Sequence, residues 1–333
     1  MDSKASVFAY FIDQEPPLLS KTPQYPATLC KFEYLDEGGA NIVYRLTVVN
    51  GGQTPSRLDR KLLRLRKNLR HCQPATEQLK AFNENFRDLF PKENLVEHEL
   101  VKLDDGIVTA LNELLRKRVR PSHRAQDFLC PDEQYGMIVT DMTAELGEIL
   151  VELKPKWLLQ SPNAPVEATR CRTCALRAQR VAKKIATATD EQQSCPLMLT
   201  STSAEDRKKS AQQLTDDRRI AQYLAEDARP LLASLKQHQQ RLDRHGVLSV
   251  KDVDGIVNLC RAMTLRDCTL YVRRSKGNIE ARLGDLDLKQ PEKLTSWRNA
   301  EKTLIDEGWY ANTEASNLLK RENICFLSRW IQP

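Results

Sequence analysis

No run in this sequence is apolar and long enough to cross a bilayer as a helix, and Met1 to Tyr10 lack the apolar core of a secretory signal. An intracellular protein, nuclear or cytoplasmic, is the expectation. Aromatic residues make up only 6% of the chain, too few to interleave with basic residues as an RNA-stacking platform. The net charge of +6 also falls short of the basic footprint of a dedicated nucleic-acid domain. A nucleic-acid partner is therefore not expected. Nine cysteines, odd in number and scattered, do not form the framework of a secreted disulfide scaffold. There is no internal repeat and no long low-complexity tract.

What is present fits a soluble globular chain of 333 residues, long enough for a large core and two lobes. The mild basic excess suits an anionic ligand. The most informative stretch is Arg266 to Lys289. Two β-prone runs, Cys268 to Val272 and Ile279 to Leu283, flank Lys276-Gly277-Asn278, a hairpin signal. Asp267 enters the first run and Asp285 leaves the second, so antiparallel pairing brings both carboxylates to one end of the ribbon. Kinases use such a pair, one acid for the attacking hydroxyl and one for Mg²⁺. A surface hairpin with solvated acids has the same spacing.

Lys31 to Leu46 reads as strand, glycine turn (Gly38-Gly39), strand; bare amides at such a turn can approach phosphate oxygens. Lys61 to Lys67 alternates, with Leu63 and Leu65 on one face and Arg64 and Arg66 on the other. Its many basic neighbours also fit a solvated face. Pro74 to Leu89 and Ile107 to Val119 are helical in pattern, Met137 to Thr140 is a buried strand, and Asp141 to Thr143 is a polar break between lobes. Ile149 to Trp157 reads as a strand carrying Glu152, Lys154 and Lys156 on one face, which is solvent or the floor of a site. Ala211 to Arg244 reads as charged helices with a solvated outer face. Val250 to Met263 is an apolar helix leading to Arg266-Asp267. The tail, from Leu294 on, is helical, with Trp297, Leu304, Ile305, Trp309, Leu318 and Leu319 as its core. Cys171 and Cys174 are spaced as half a zinc site, with Cys195 a conceivable third ligand; packed thiols on one helix face are the alternative, and no metal is expected there.

Gly38-Gly39-Ala40-Asn41, the Lys61 to Lys67 strand, Glu152-Leu153-Lys154-Pro155-Lys156, Arg266-Asp267-Cys268-Thr269 and Asp285-Leu286-Asp287-Leu288-Lys289 occur in an order that resembles the inositol-pentakisphosphate 2-kinase family, in a compact fungal form. The resemblance runs from about Phe32 to Trp297. It implies an α+β, two-lobed kinase-like fold, with an N-terminal antiparallel sheet lobe over 1–145 and a larger α+β lobe over 146–333. It implies a monomer that binds ATP between the lobes, uses Mg²⁺, and phosphorylates the 2-hydroxyl of inositol 1,3,4,5,6-pentakisphosphate to the hexakisphosphate.

By that resemblance Gly38, Gly39 and Asn41 cover the ATP phosphates, Arg64 and Arg124 contact them, Thr140 and Met142 offer hinge backbone to adenine, and Glu152 lies near the ribose. Asp267 activates the hydroxyl, Lys154 pairs with that acid, and Asp285 holds the metal. Lys156, Arg170, Lys289, Lys293 and Trp297 grip the acceptor. The family's Lys-Pro is Lys289-Gln290-Pro291 here, which leaves the register of Lys293 and Trp297 open by one residue. Two other readings stay open: a non-catalytic polyanion binder on a kinase-like scaffold, and a kinase of a less phosphorylated inositol.

Overall fold

The computed structural model of the chain describes residues 5–24, 26–49, 55–185, 194–311 and 325–330. Two compact units divide it. One comprises Met1–Glu84 and Val96–Met142, the other Asn85–Leu95 and Thr143–Pro333. Among the described residues no helix is long and apolar enough to cross a membrane.

The first unit is built on seven strands: β1 (Val7–Ile12), β2 (Leu18–Ser20), β3 (Thr28–Glu37), β4 (Asn41–Val48), β5 (Lys61–Arg66), β6 (His98–Leu103) and β7 (Tyr135–Thr140). They close into a barrel in the order β1-β2-β6-β7-β5-β4-β3. The expected antiparallel sheet is thus corrected in two respects. It is closed, and the β2–β6 pair is parallel. Closure leaves no edge strand to cap. Alternation fills the interior: Phe11, Phe32, Ile42, Tyr44 and Leu63 are buried in one cluster. Helix α2 (Ile107–Arg116) adds Ile107, Leu111 and Leu115 from one face, at the spacing the sequence predicts. Helix α1 (Ala75–Asn85) follows β5.

Leu63 and Leu65 point inward as expected, while Arg64 and Arg66 remain partly accessible. The same period of two puts Lys67 inward, and it is fully buried. Its ammonium lies 2.7 Å from Glu37 Oε2 and 2.9 Å from Asp127 Oδ2. Arg120 completes the group with two parallel bonds to Glu37, both 2.7 Å. A buried cation needs such partners. Here the partner is the last residue of β3, directly before the glycine turn.

The second unit carries a three-stranded antiparallel sheet in the order β10-β9-β8, from β8 (Ile149–Leu153), β9 (Thr269–Ser275) and β10 (Asn278–Gly284). Lys276 and Gly277 form the two-residue turn of the hairpin, with φ of 44° and 96°. Positive φ at both positions is what the favoured hairpin turn requires. Around the sheet stand α3 (Arg172–Ala182), α4 (Pro196–Leu199), α5 (Ala204–Leu214), α6 (Arg218–Ala225), α7 (Arg229–Leu242), α8 (Val253–Leu265) and α9 (Leu294–Asp306). Leu95, from the short segment that joins this unit, bridges Leu283 in parallel.

Two expectations change. The strand through Lys154 ends at Leu153, and Lys156 adopts φ of 58°, so Lys154 to Trp157 is irregular. The helices between Ala211 and Arg244 are not merely a solvated face: Leu231, Leu232, Leu235 and Gln239 of α7 are buried. In the tail, Leu304, Trp309 and Tyr310 form a buried cluster with α3, whereas Leu318 and Leu319 lie outside the described residues.

Candidate active site

Register brings the two acids of the hairpin together. Thr269 pairs with Gly284, so Asp267 and Asp285 leave the same end of the ribbon. The Lys154 ammonium touches both: it donates to the Asp267 carbonyl at 2.8 Å and lies 3.5 Å from Asp285 Oδ2 and 3.8 Å from Asp267 Oδ1. Lys156 donates to Asp267 Oδ1 at 3.1 Å and Lys289 to Asp267 Oδ2 at 2.6 Å. Thr269 Oγ1 also donates to Asp285 Oδ2.

Burial by itself pushes the Asp267 pKa up. The hydrogen bond from Lys289 and the charges of Lys289, Lys156 and Lys154 outweigh it and hold the carboxyl well below the usual carboxylate range. Lys156 is shifted down, first by burial and then by its cationic neighbours Lys154 and Arg177, against the opposing pull of Asp267. Asp267 is thus a fixed anion with two oxygens ready to accept. Such a group orients a hydroxyl well but is a weak base.

A cleft of about 270 Å³ opens beside it, lined by Lys156, Arg172, Arg177, Arg180, Arg266, Lys289 and Lys293, with Asp267 the one acid and Trp297 on the wall. Two of these cations are anchored from behind. Arg172 donates to Glu301 at 2.9 Å, and Arg266 to Asp243 at 2.6 Å. Both stack on Trp157, at 4.5 and 3.5 Å from the ring centre. Nε and Nη2 of Arg266 have no acceptor among the described residues. Cations clearly exceed anions, which suits a small polyanion.

Gln239 holds the irregular stretch in place. It is fully buried; its Nε2 donates to Lys156 O at 2.9 Å and Leu265 O at 3.3 Å, and its Oε1 accepts from Leu158 N at 3.1 Å. One side chain therefore ties the turn that carries Lys156 to the end of the helix that delivers Asp267.

The expected acceptor residues are not all brought together. Lys156, Lys289, Lys293 and Trp297 line the cleft. Arg170 is buried outside that lining, with Nη1 on the Trp309 carbonyl at 3.2 Å. Arg273 and Arg274, although near the acids in sequence, pair with Glu280 and Asp217 and do not line the cleft. The sequence reading missed Arg172, Arg180, Arg266 and Gln239. A signal for the first two existed: Arg172, Thr173, Leu176, Arg177 and Arg180 share one face of α3 at helical spacing.

In the first unit Arg64 and Asn41 meet. With its oxygen facing the guanidinium, the Asn41 amide accepts from Arg64 Nη2 at 2.5 Å, and Gln78 Oε1 accepts from the same nitrogen at 3.2 Å. Gly38 N donates to Asn41 O at 2.9 Å across the turn. A Cβ at Gly38 or Gly39 would meet nothing within 4 Å, so the turn's surface is open to a ligand. Arg124 donates to the Glu37 carbonyl at the base of this turn. Thr140 exchanges backbone and side-chain bonds with Glu97, and Met142 is buried. Glu152 sits exposed on β8 in the second unit, opposite Tyr271.

Asp285 also meets the requirements of a magnesium ligand. Its carboxylate is more than half exposed and is oriented by Thr269 and Lys154. Mg²⁺ takes one or two such hard oxygens and completes its shell with water and phosphate.

Comparison with known proteins agrees with this chemistry. A family model described as inositol-pentakisphosphate 2-kinase matches residues 34–228 and 215–303. The chain is also similar to the inositol-pentakisphosphate 2-kinase of Yarrowia lipolytica, 28% identical over 311 residues, covering 87% of this chain and 96% of that protein. The match takes in the barrel strands from β4 onward, the hairpin acids and the cleft, and by it the chain belongs to the inositol-pentakisphosphate 2-kinase family.

Proposed function

We propose that this protein transfers the γ-phosphate of ATP to the 2-hydroxyl of inositol 1,3,4,5,6-pentakisphosphate, giving the hexakisphosphate and ADP, on a two-lobed kinase-like scaffold. The observation that carries the proposal is Asp267, held anionic by three lysines at the wall of a strongly basic cleft. An acceptor bearing five phosphates needs several cations converging from different segments, and the cleft draws them from four.

Asp267 accepts the hydrogen bond of the attacking hydroxyl and aims its oxygen at phosphorus. As the new O–P bond forms and the bond to the bridging oxygen of ATP breaks, the attacking oxygen becomes strongly acidic, and only then does its proton pass by way of Asp267 to solvent. Lys154 keeps the two carboxylates in register. Lys156, Lys289, Lys293, Arg172, Arg177 and Arg180 grip acceptor phosphates, and Trp297 covers the ring. Arg64, Asn41 and the bare amides of Gly38 and Gly39 contact the ATP phosphates. Mg²⁺, when bound at Asp285, neutralises charge on the transferred group.

The test is incubation with Mg·ATP and a panel of inositol phosphates, with products separated and their phosphate positions identified. Hexakisphosphate from the 1,3,4,5,6-pentakisphosphate is expected, and Asp267→Asn should lower turnover at least about a hundredfold while acceptor binding persists. Tight binding with no turnover on any acceptor would leave a polyanion-binding protein instead. Faster turnover of a less phosphorylated inositol would reassign the substrate.

A further inference from the structure

A second basic groove, of about 250 Å³, lies in the second unit and shares no lining residue with the acceptor cleft. Its walls are the turn after α4, Arg207 of α5, and the face of α7 that carries Arg229 and Lys236. No carboxylate lines it. Asp206, next to Arg207 in the chain, is not part of the wall and accepts from Ser201 Oγ at 3.1 Å.

Arg207 is only 5% exposed, and three backbone carbonyls fix its guanidinium. Nε donates to Ala225 O at 2.9 Å, and Nη1 donates to Ser201 O at 2.8 Å and to Thr202 O at 2.9 Å. Neutral carbonyls satisfy the hydrogens but leave the charge uncompensated, and a buried charge calls for a partner. Four other buried cations, Lys67, Arg120, Arg172 and Arg266, each meet a carboxylate. Arg207 meets none among the described residues, and its Nη2 is left for the groove.

We propose that this groove binds a phosphate group, free or on a small ester, as the counter-ion of Arg207. Arg229 and Lys236 are two turns apart on one face of α7, and among the described residues neither pairs with an acid. Three cations on one groove suit the nearly double charge of a phosphate better than the single charge of a carboxylate. The guanidinium of Arg207 is already fixed, so it loses little side-chain freedom on binding. Leu199 and Leu232 add an apolar wall against which the carbon part of an ester can pack. The site does not depend on which acceptor the protein phosphorylates.

Equilibrium dialysis of the full-length protein against radiolabelled inorganic phosphate and glycerol 3-phosphate, at constant ionic strength, tests the site. The cleft takes phosphate as well, so substitutions separate the two. Arg229→Gln and Lys236→Gln should each weaken one class of site about tenfold and leave turnover unchanged. Lys293→Met, in the cleft, should leave that class intact. Arg207 stays in place in these variants because it also holds three carbonyls of the fold. Tighter binding of the ester supports the site with an ester as its ligand; equal binding supports it with free phosphate. Phosphate binding that both α7 variants retain in full, or that Lys293→Met abolishes altogether, would overturn the proposal, as would no binding of either probe.

Discussion

Lys289 donates to Asp267 Oδ2 at 2.6 Å, although a helix–strand junction and a whole hairpin separate the two in the chain. The contact is part of what keeps Asp267 ionised, and the other N–H groups of the Lys289 ammonium remain available to a phosphate.

Removing that lysine should therefore show in the pH dependence of turnover. Asp267 has a depressed pKa, so activity that needs its anion is present above that pKa and is lost as pH falls through it. In Lys289→Met the pKa rises toward the ordinary carboxylate value. The acidic limb of the kcat profile should move to higher pH, with a raised KM for the acceptor and an unchanged KM for ATP. An acidic limb that stays where it is in the wild type would remove Lys289 from the control of Asp267.

Arg64 and Arg66 lie on one face of β5 but differ in partners. Arg64 meets Asn41 at the glycine turn, while Arg66 pairs with Glu133 and donates to the Cys72 carbonyl at 3.2 Å. Arg64→Met should raise the KM for ATP and leave the melting temperature nearly unchanged. Arg66→Met should do the opposite, costing about 1–3 kcal/mol of stability by stranding Glu133. Steady-state kinetics and thermal unfolding of the two variants check the contrast, and equal effects would return the strand to a plain basic face.

Glu37 governs how the first unit answers acid. Burial raises its pKa, but the bonds from Arg120 and Lys67 bring it from the ordinary 4.5 down to about 2. Such a carboxylate contributes stability that is complete above about 4.5 and drains away as pH falls toward 2. The contribution at neutral pH is on the order of 3 kcal/mol. Glu37→Gln should lose roughly that amount at pH 7, and denaturant midpoints should show its gap to wild type closing as the pH is lowered through this window.

Gln239 is a positioning residue, and its substitution separates binding from turnover. Gln239→Leu strands Leu158 N and the carbonyls of Lys156 and Leu265, at about 1–3 kcal/mol for each buried group left unpaired. With Lys156 and Asp267 released from each other's geometry, kcat should fall while the KM for ATP holds. Gln240→Leu, an exposed neighbour on the same helix, should change neither.

The hairpin and its two acids were legible because period-two alternation and a glycine turn fix register locally, and register alone carries Asp267 and Asp285 to one end. The Arg64 strand was legible for the same reason. The same rule pointed to Lys67: counting from Leu63 and Leu65 puts a lysine inside, which demands a buried acid, but the surrounding basic residues drew attention to a solvated face. The closed barrel was not legible, since β1 is apolar throughout and shows no alternation, β2 is only three residues long beside Pro16-Pro17, and β6 alternates poorly. Charge along Ala211 to Arg244 masked the buried leucines of α7 and with them Gln239. Nothing local marks Cys325 as a neighbour of Cys171; only the packing of α3 against the later chain does that.

The short segment Asn85–Leu95, which belongs to the second unit but is threaded between the two pieces of the first, sets conditions on synthesis. Asn94 donates to the Ala281 carbonyl at 3.0 Å, across 187 residues of chain. At 5–20 residues per second, that partner leaves the ribosome roughly ten to forty seconds later. For much of that interval Phe86, Phe90 and Leu95, all buried in the finished protein, wait for the rest of their unit, whose His238 packs on Phe90. A gene divided after Met142 does not escape the problem. Its second fragment would make the hairpin without the Leu95 bridge to Leu283, and its first would carry Phe90 and Leu95 without His238 and Leu283.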